Sequence, residues 1–318
     1  MPRLRLNRPG RKPSDPHQTG STSTPPAQAY AGAVPIRRQR DWLSITVSAL
    51  PGLAAIAALG VSYAAVQTTK AQVETSREQI QIAAAQQEAA RYDTAIRELG
   101  DAHLDVRLGG IYGLQGLMQD SLHYQRTVIP VLSAYIRDHS LPPAISRASS
   151  ALRSPTDVQA ALTTIASRNP IFDNTAVIDL SHTQLTNAEF AGGDFTRAFL
   201  TGAGLSRADF TRAHLSDAVL AGADLREANL IDASLTGADL TGADLSGAHL
   251  AGADLREANL IDADLTGADL AGADLTTALL AGADLTHANV GGAVWPEKYP
   301  VPKGWLRNPD SGRLSQAK

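Results

Sequence analysis

The chain has no cysteine, which excludes a disulfide framework, a thiolate metal site and a cysteine nucleophile, and leaves its compartment open. It also lacks the short signatures of catalysis: no GxSxG, HExxH, Walker or dinucleotide-binding pattern occurs in its 318 residues. The eight histidines do not cluster. No charged residue stands between Trp42 and Thr69, and neither glycine nor proline between Lys70 and Leu99. The first two absences argue against an enzyme and for a chain that needs no cofactor. The last two mark an apolar segment followed by a helical one.

Charge is unevenly spread. Residues 1–40 hold eight Lys/Arg against one Asp, whereas residues 171–293 hold five Arg against eighteen Asp/Glu, a net charge of −13 (five minus eighteen). The two ends therefore suit different partners. Seven prolines among Ser, Thr, Gly and Arg make residues 1–41 read as a disordered basic tail. Leu43 to Val66 is long enough, at about 1.5 Å per residue, to cross a ~30 Å hydrocarbon layer, with Trp42 and Tyr63 near its ends. We read 42–69 as a single transmembrane helix in the cell membrane, with the lipid bilayer as its partner. The competing reading is an alanine-rich helix buried in a soluble domain, which Pro51-Gly52 favours. Arg37, Arg38 and Arg40 precede the span, while Lys70 and Arg77 after it are balanced by Glu74 and Glu78, so the positive-inside bias places the N-terminus in the cytoplasm and the rest outside.

Residues 70–100 are dense in Ala, Gln, Glu and Arg and read as a helical stalk. Its thin stripe of Val73, Ile80, Ala84, Ile96 and Leu99 is compatible with either a homo-oligomeric coiled coil or a single helix docking on the next domain. In residues 101–170, Leu104, Leu108, Ile111, Leu114 and Leu117, and then Val128, Val131, Leu132, Tyr135 and Ile136, recur at helical spacing and predict an antiparallel helix pair. Ser154-Pro155 predicts a further helix, with Ser154 as its cap and Val158, Leu162 and Ile165 on one face.

From Leu180 to Leu285 every fifth residue is Leu or Phe, in 22 consecutive blocks, and from Ala198 to Ala293 an Ala stands two places before each beat. Five matches neither a helix nor a strand, so the unit is the pentapeptide itself. Blocks such as Ala221-Gly222-Ala223-Asp224-Leu225 and Thr236-Gly237-Ala238-Asp239-Leu240 closely resemble the pentapeptide-repeat family. The stretch RYDTAIRELGDAHLDVRLGGIYGLQGL with the later SPTDVQAALTTIASR resembles a helical module that precedes such repeats in membrane-anchored actinobacterial proteins. The resemblance implies a pentapeptide-repeat solenoid over 171–293, a right-handed quadrilateral β-helix with four pentapeptides per turn and Leu/Phe and Ala inward. Preceded by the transmembrane helix, the stalk and the small α-helical capping module, it is followed at 294–318 by a C-terminal cap, plugged by Trp295 with Trp305, and a disordered tail from residue 306.

Residues twenty apart then stack. Asp224, Asp244, Asp264 and Asp284 fall on one face, either as acceptors for nearby backbone N–H groups or as an anionic stripe. Phe199 and Val219 replace the usual Asp or Asn on another face, where Leu279 recurs, and are expected to contact the helical module or a partner. The segment 221–240 returns at 251–270 with one change, Ser234 to Asp264, an offset that puts Arg226 and Arg256 on opposite faces. The functional expectation is a non-catalytic, membrane-anchored scaffold that presents an acidic β-helix to an unidentified protein and does not itself bind nucleic acid. Two alternatives stand beside it. The family includes members that mimic duplex DNA and bind DNA gyrase, and the Asp ladder also suits a cation-binding or envelope structural element.

Overall fold

The computed structural model describes residues 42–140, 154–173 and 176–317, with side chains throughout except at 42–49 and 122. The basic tail expected over 1–41 lies outside the described residues. The chain divides into two units, Met1–Val73 and Glu74–Lys318. Helix α1 (Trp42–Leu99) begins in the first and ends in the second, so span and stalk form one continuous element. It runs through Pro51, which has no N–H to give to the helix ladder. The helix is long and apolar enough to cross a membrane. Leu50, Leu53, Ile56, Leu59 and Val61 are each between 61% and 71% exposed, so this segment is not the core helix of a soluble domain among the described residues.

In the second unit, α1 ends against α2 (Leu104–Asp120), α3 (Leu122–His139) and α4 (Thr156–Ala166). Ala95 and Leu99 join Ile111, Leu114, Leu117, Val128, Leu132, Ile136, Val158, Leu162 and Ile165 in one buried core, so the last turns of the stalk dock on the module. Gly110 permits the close approach of α2 to α1, since a Cβ there would stand 2.7 Å from the Ala95 carbonyl oxygen. A polar cluster pins the three short helices. Asp157, 3% exposed, accepts from Arg107 Nη2 at 2.7 Å and from the Tyr135 hydroxyl at 2.7 Å. Burial pushes the Asp157 carboxyl up, but these bonds and the Val158 N–H hold it below the usual carboxylate range. The predicted start of the last helix shifts by one residue. Pro155, not Ser154, is the cap, and its carbonyl accepts from the Gln159 N–H at 2.9 Å, while the Ser154 hydroxyl is buried without a partner.

After a short 3-10 turn (Pro170–Phe172), the chain winds into a coil in which each residue i of the bridging position pairs in parallel with residue i+20, from Asp179–Phe199 to Asp274–Val294. Twenty residues per turn is four pentapeptides, one per side. The inward Leu and Ala from Ala198 to Leu275 are at most 1% exposed. Each such leucine contributes roughly 1.5–3 kcal/mol relative to exposure. Phe190, Phe195 and Phe210 fill the first coils, with Phe190 and Phe210 stacked at 4.3 Å. There Gly193 replaces the inward Ala because a Cβ would meet the Ala166 Cβ of α4 at 2.9 Å.

The backbone hydrogen bonds of one pentapeptide explain its composition. The Leu225 N–H reaches the Asp244 carbonyl (2.7 Å), Asp224 the Ala203 carbonyl (2.9 Å) and Gly222 the Thr241 carbonyl (2.9 Å), all between turns, while Ala223 bonds Leu220 within its own turn (3.0 Å). One N–H in five is left over, two residues after the Asp, and the Asp side chain takes it, as Asp224 Oδ1 does from Arg226 (3.3 Å).

Every residue two places after an inward Leu or Phe, from His182 to His287, has a φ between 55° and 74°. Glycine recurs there for that reason rather than to cradle phosphate. Thr277, at φ 63°, is the β-branched exception. A non-glycine residue in this region costs about 1–2 kcal/mol, so Thr277→Gly is expected to stabilise the coil by roughly 1 kcal/mol. Thermal unfolding checks this, and a lowered midpoint would contradict it.

Candidate functional site

The structure stacks the four predicted carboxylates in one column, with Asp224 bridged to Asp244, Asp244 to Asp264 and Asp264 to Asp284. Each Oδ1 accepts the N–H two residues on, at 3.3, 3.0, 2.8 and 2.9 Å. Two unit charges at ~4 Å repel by about 1 kcal/mol in full water screening. Each turn bond satisfies a backbone N–H that the coil leaves unpaired, whereas water and salt screen the repulsion between rungs. The ladder is thus first a backbone device, and Asp and Asn serve it equally: Asn229, Asn259 and Asn289 make the same bond on other columns.

Nor is the stripe uniform. Arg226 grips Asp224 with Nε and Nη2 (2.7 and 2.6 Å) and reaches Asp244 Oδ2 at 3.5 Å. Its pKa is raised by that grip on Asp224. Among the described residues no lysine or arginine pairs with Asp264 or Asp284. The Thr286 hydroxyl and N–H hold the Asp284 carboxyl below the usual range, and the nearby His287 helps to keep it ionised. The anionic part of the column is therefore its C-terminal half. Toward the other end, Gly202, Gly204 and Gly222 leave a depression of about 350 Å³ flanked by Arg207 and Arg226, where Arg207 Nε bonds Glu227 Oε2 at 2.7 Å across one turn. Arg256 grips Asp254 on the opposite side of the coil in the same bidentate way (2.8 and 2.6 Å), as the thirty-residue offset requires.

Phe199 and Val219 are bridged neighbours, as the twenty-residue frame predicts. Phe199, 42% exposed, lines a depression of about 240 Å³ with Arg168, Val177 and Ile178, beside the helical module. Val219 is half-buried and takes no part in it.

Sequence reasoning missed the side chains that close the ends of the coil. The first coil has no preceding turn to pair with, and side chains of the module stand in for it. Gln159 Nε2 donates to the Glu189 carbonyl (2.8 Å) while its Oε1 accepts from the Glu189 N–H (3.0 Å), the two bonds a neighbouring strand would make. Arg137 Nη1 donates to the Asp179 carbonyl at 2.5 Å. Buried Arg168 donates to the Asp194 carbonyl and, through Nε, to both oxygens of Asp173 at 3.1 and 2.9 Å. These bonds blunt an edge that otherwise invites pairing with another chain.

At the other end, the segment expected to be disordered from 306 is instead ordered to residue 317. Strands β1 (Trp305–Arg307) and β2 (Leu314–Gln316) pair antiparallel, and Arg313 bridges Val294. The turn between them is held by Asn308 Oδ1, which accepts from Asp310 and Ser311 at 2.9 Å each, and Leu314 is buried, which anchors the hairpin to the coil. Trp295 is 3% exposed and Trp305 packs partly buried beside Gly291, consistent with the expected plug.

Residues 178–202, 203–242, 238–276 and 258–294 match the family described as Pentapeptide repeats, in eight copies. No curated protein matches the chain. Among solved structures it is similar to Rfr23, a pentapeptide repeat protein from the cyanobacterium Cyanothece 51142, with 39% identity over 30% of this chain and 63% of that one, TM-score 0.23. HetL, a pentapeptide repeat protein involved in heterocyst differentiation regulation from Nostoc sp. strain PCC 7120, is 30% identical over 37% of this chain and 73% of its own, TM-score 0.16. QnrB1, a plasmid-mediated fluoroquinolone resistance protein, is 28% identical over 36% of this chain and 64% of its own, TM-score 0.25. The chain thus spans less than two thirds of Rfr23 and of that form of QnrB1, a trypsin-treated variant.

Proposed function

The chain belongs to the pentapeptide-repeat family, and from that premise we propose that it is a membrane-anchored, non-catalytic scaffold whose right-handed β-helix presents an acidic surface to a protein partner. The observation that carries this reading is the charge-free apolar length of α1, exposed from Leu50 to Val66 and joined in one helix to the module that caps the coil. An exposed apolar helix of this length is stable in lipid and a liability in water. Leu43 to Val66 crosses the bilayer once, the N-terminus is cytoplasmic and the β-helix lies outside. The full chain is expected to stay with membranes through an alkaline carbonate wash and to be released by detergent, whereas a chain lacking 43–66 is expected in the soluble fraction. Recovery of the full chain as a soluble species without detergent overturns the anchor.

The net charge of −13 on residues 171–293 favours a second reading, a mimic of duplex DNA that binds DNA gyrase or another DNA-binding protein. A reporter active on only one side of the membrane, fused after Lys318, separates the two. A reporter active outside removes gyrase as a partner; one active inside, with inhibition of supercoiling by micromolar protein, replaces the first reading by the second.

A further inference from the structure

A cleft of about 580 Å³ opens at the C-terminal end of the coil, between its last bridged turn and the hairpin. Two of its lining residues are departures from the repeat. Leu279 and Val294 hold the bridging position that Asp or Asn usually occupies, and both face this cleft with Trp295 and Pro296. An apolar residue there supplies no turn acceptor, so Leu279 forgoes a bond that the coil makes elsewhere. Its side chain instead adds apolar wall.

The opposite wall carries Arg307. Its Nη2 donates to Glu297 Oε1 at 3.0 Å, while its Nε is buried with no hydrogen-bond partner. The same two atoms of Arg226 and of Arg256 each hold a carboxylate in a bidentate grip within this molecule. Arg307 therefore shows half of that grip. Glu297 is 88% exposed and can swing away from Nη2, whereas Gly312 packs beside the Nε edge, where a Cβ would stand 3.8 Å from Nε and 3.6 Å from Nη2. Glu297 and Asp310 in the lining offset Lys298 and Arg307, which disfavours a dianion such as phosphate relative to a monoanion, and the planar guanidinium suits a carboxylate.

We infer that this cleft binds an amphipathic monocarboxylate, its apolar body against Leu279, Val294 and Trp295 and its carboxylate on Arg307 Nη2 in place of Glu297. The volume lies within the range of small-molecule sites.

The test is a calorimetric titration of the full chain in lipid nanodiscs with 4-phenylbutyrate, with empty nanodiscs as the blank. Saturable binding is expected with a Kd on the order of 0.1–1 mM, within the efficiency bounds for a ligand of this size. The carboxamide of the same probe, and the Arg307→Gln variant, are each expected to bind about tenfold more weakly, as loss of a charge-assisted hydrogen bond implies. Leu279→Asp keeps the interpretation clean. It restores the usual residue of the repeat, so the thermal midpoint holds or rises while binding falls by about tenfold or more, because a carboxylate now repels the ligand. No saturable heat below about 10 mM, equal affinity for the carboxamide, or unchanged affinity in Leu279→Asp overturns the assignment, the last two being decisive even if Arg307→Gln unfolds.

Discussion

Leu240→Ala, in the middle of the coil, is expected to destabilise the protein by about 2–5 kcal/mol, and Leu285→Ala, in the last coil, by well under half as much. Leu240 is 0% exposed and stacks between Leu220 and Leu260, also 0% exposed. Inter-turn hydrogen bonds on both sides fix its backbone, as in Leu240 N–H to Asn259 (2.7 Å) and Asp239 N–H to Ala218 (2.9 Å), so the surrounding walls cannot close over a cavity. Leu285 is only half-buried, and Ala283 and Ala288 beside it are also partly exposed. Less apolar area is lost there, and the site can relax. Urea unfolding of the two variants, followed by circular dichroism, measures the difference. Equal costs would mean that the lumen is no more tightly packed at its middle than at its end.

Arg168→Ala is expected to cost about 3–5 kcal/mol, the range for breaking a buried ion pair by removing one partner. The guanidinium is 1% exposed and Asp173 is 8% exposed, so the carboxylate left behind would be stranded with Gln125 Nε2 (2.6 Å) as its remaining donor. The carbonyl of Asp194 would lose its side-chain donor as well, whereas that of Ile165 keeps the backbone N–H of residue 168. If the charge left on Asp173 is the main penalty, the double variant Arg168→Ala/Asp173→Ala should be less destabilised than the sum of the single variants by more than about 1 kcal/mol. Strict additivity would instead assign the effect to lost packing between the module and the first coil.

The coil was legible because its rule is local and repeated. A lumen lined by one bulky and one small residue per side writes itself into the sequence every five places, and the twenty-residue stacking of Asp224 to Asp284 follows from arithmetic alone. The meaning of that column was open until the backbone bonds were seen, since one carboxylate can serve either its own turn or a partner. Gln159, Arg137 and Arg168 were not legible. Each is a single side chain on a helix or just after one, and only the three-dimensional register brings it to an unpaired edge. The hairpin did leave a signal, Asn308-Pro309-Asp310-Ser311-Gly312, which is turn chemistry read instead as an unstructured tail. The one-residue shift at Ser154 has a simple origin: proline is accepted at the cap as well as inside the first turn, and composition does not choose between them.

The two closed ends give the number of pentapeptides a geometric meaning. Module and hairpin are each keyed to particular columns, the module to those of Asp179, Glu189 and Asp194 and the hairpin to that of Val294. Inserting or deleting one pentapeptide between them would leave every core contact of the repeat type intact yet turn the hairpin by a quarter revolution about the coil axis, while a change of four would restore its bearing one storey higher or lower. Array length here is an angular setting, and the bearing of the Arg307 cleft relative to the helices is fixed by a count.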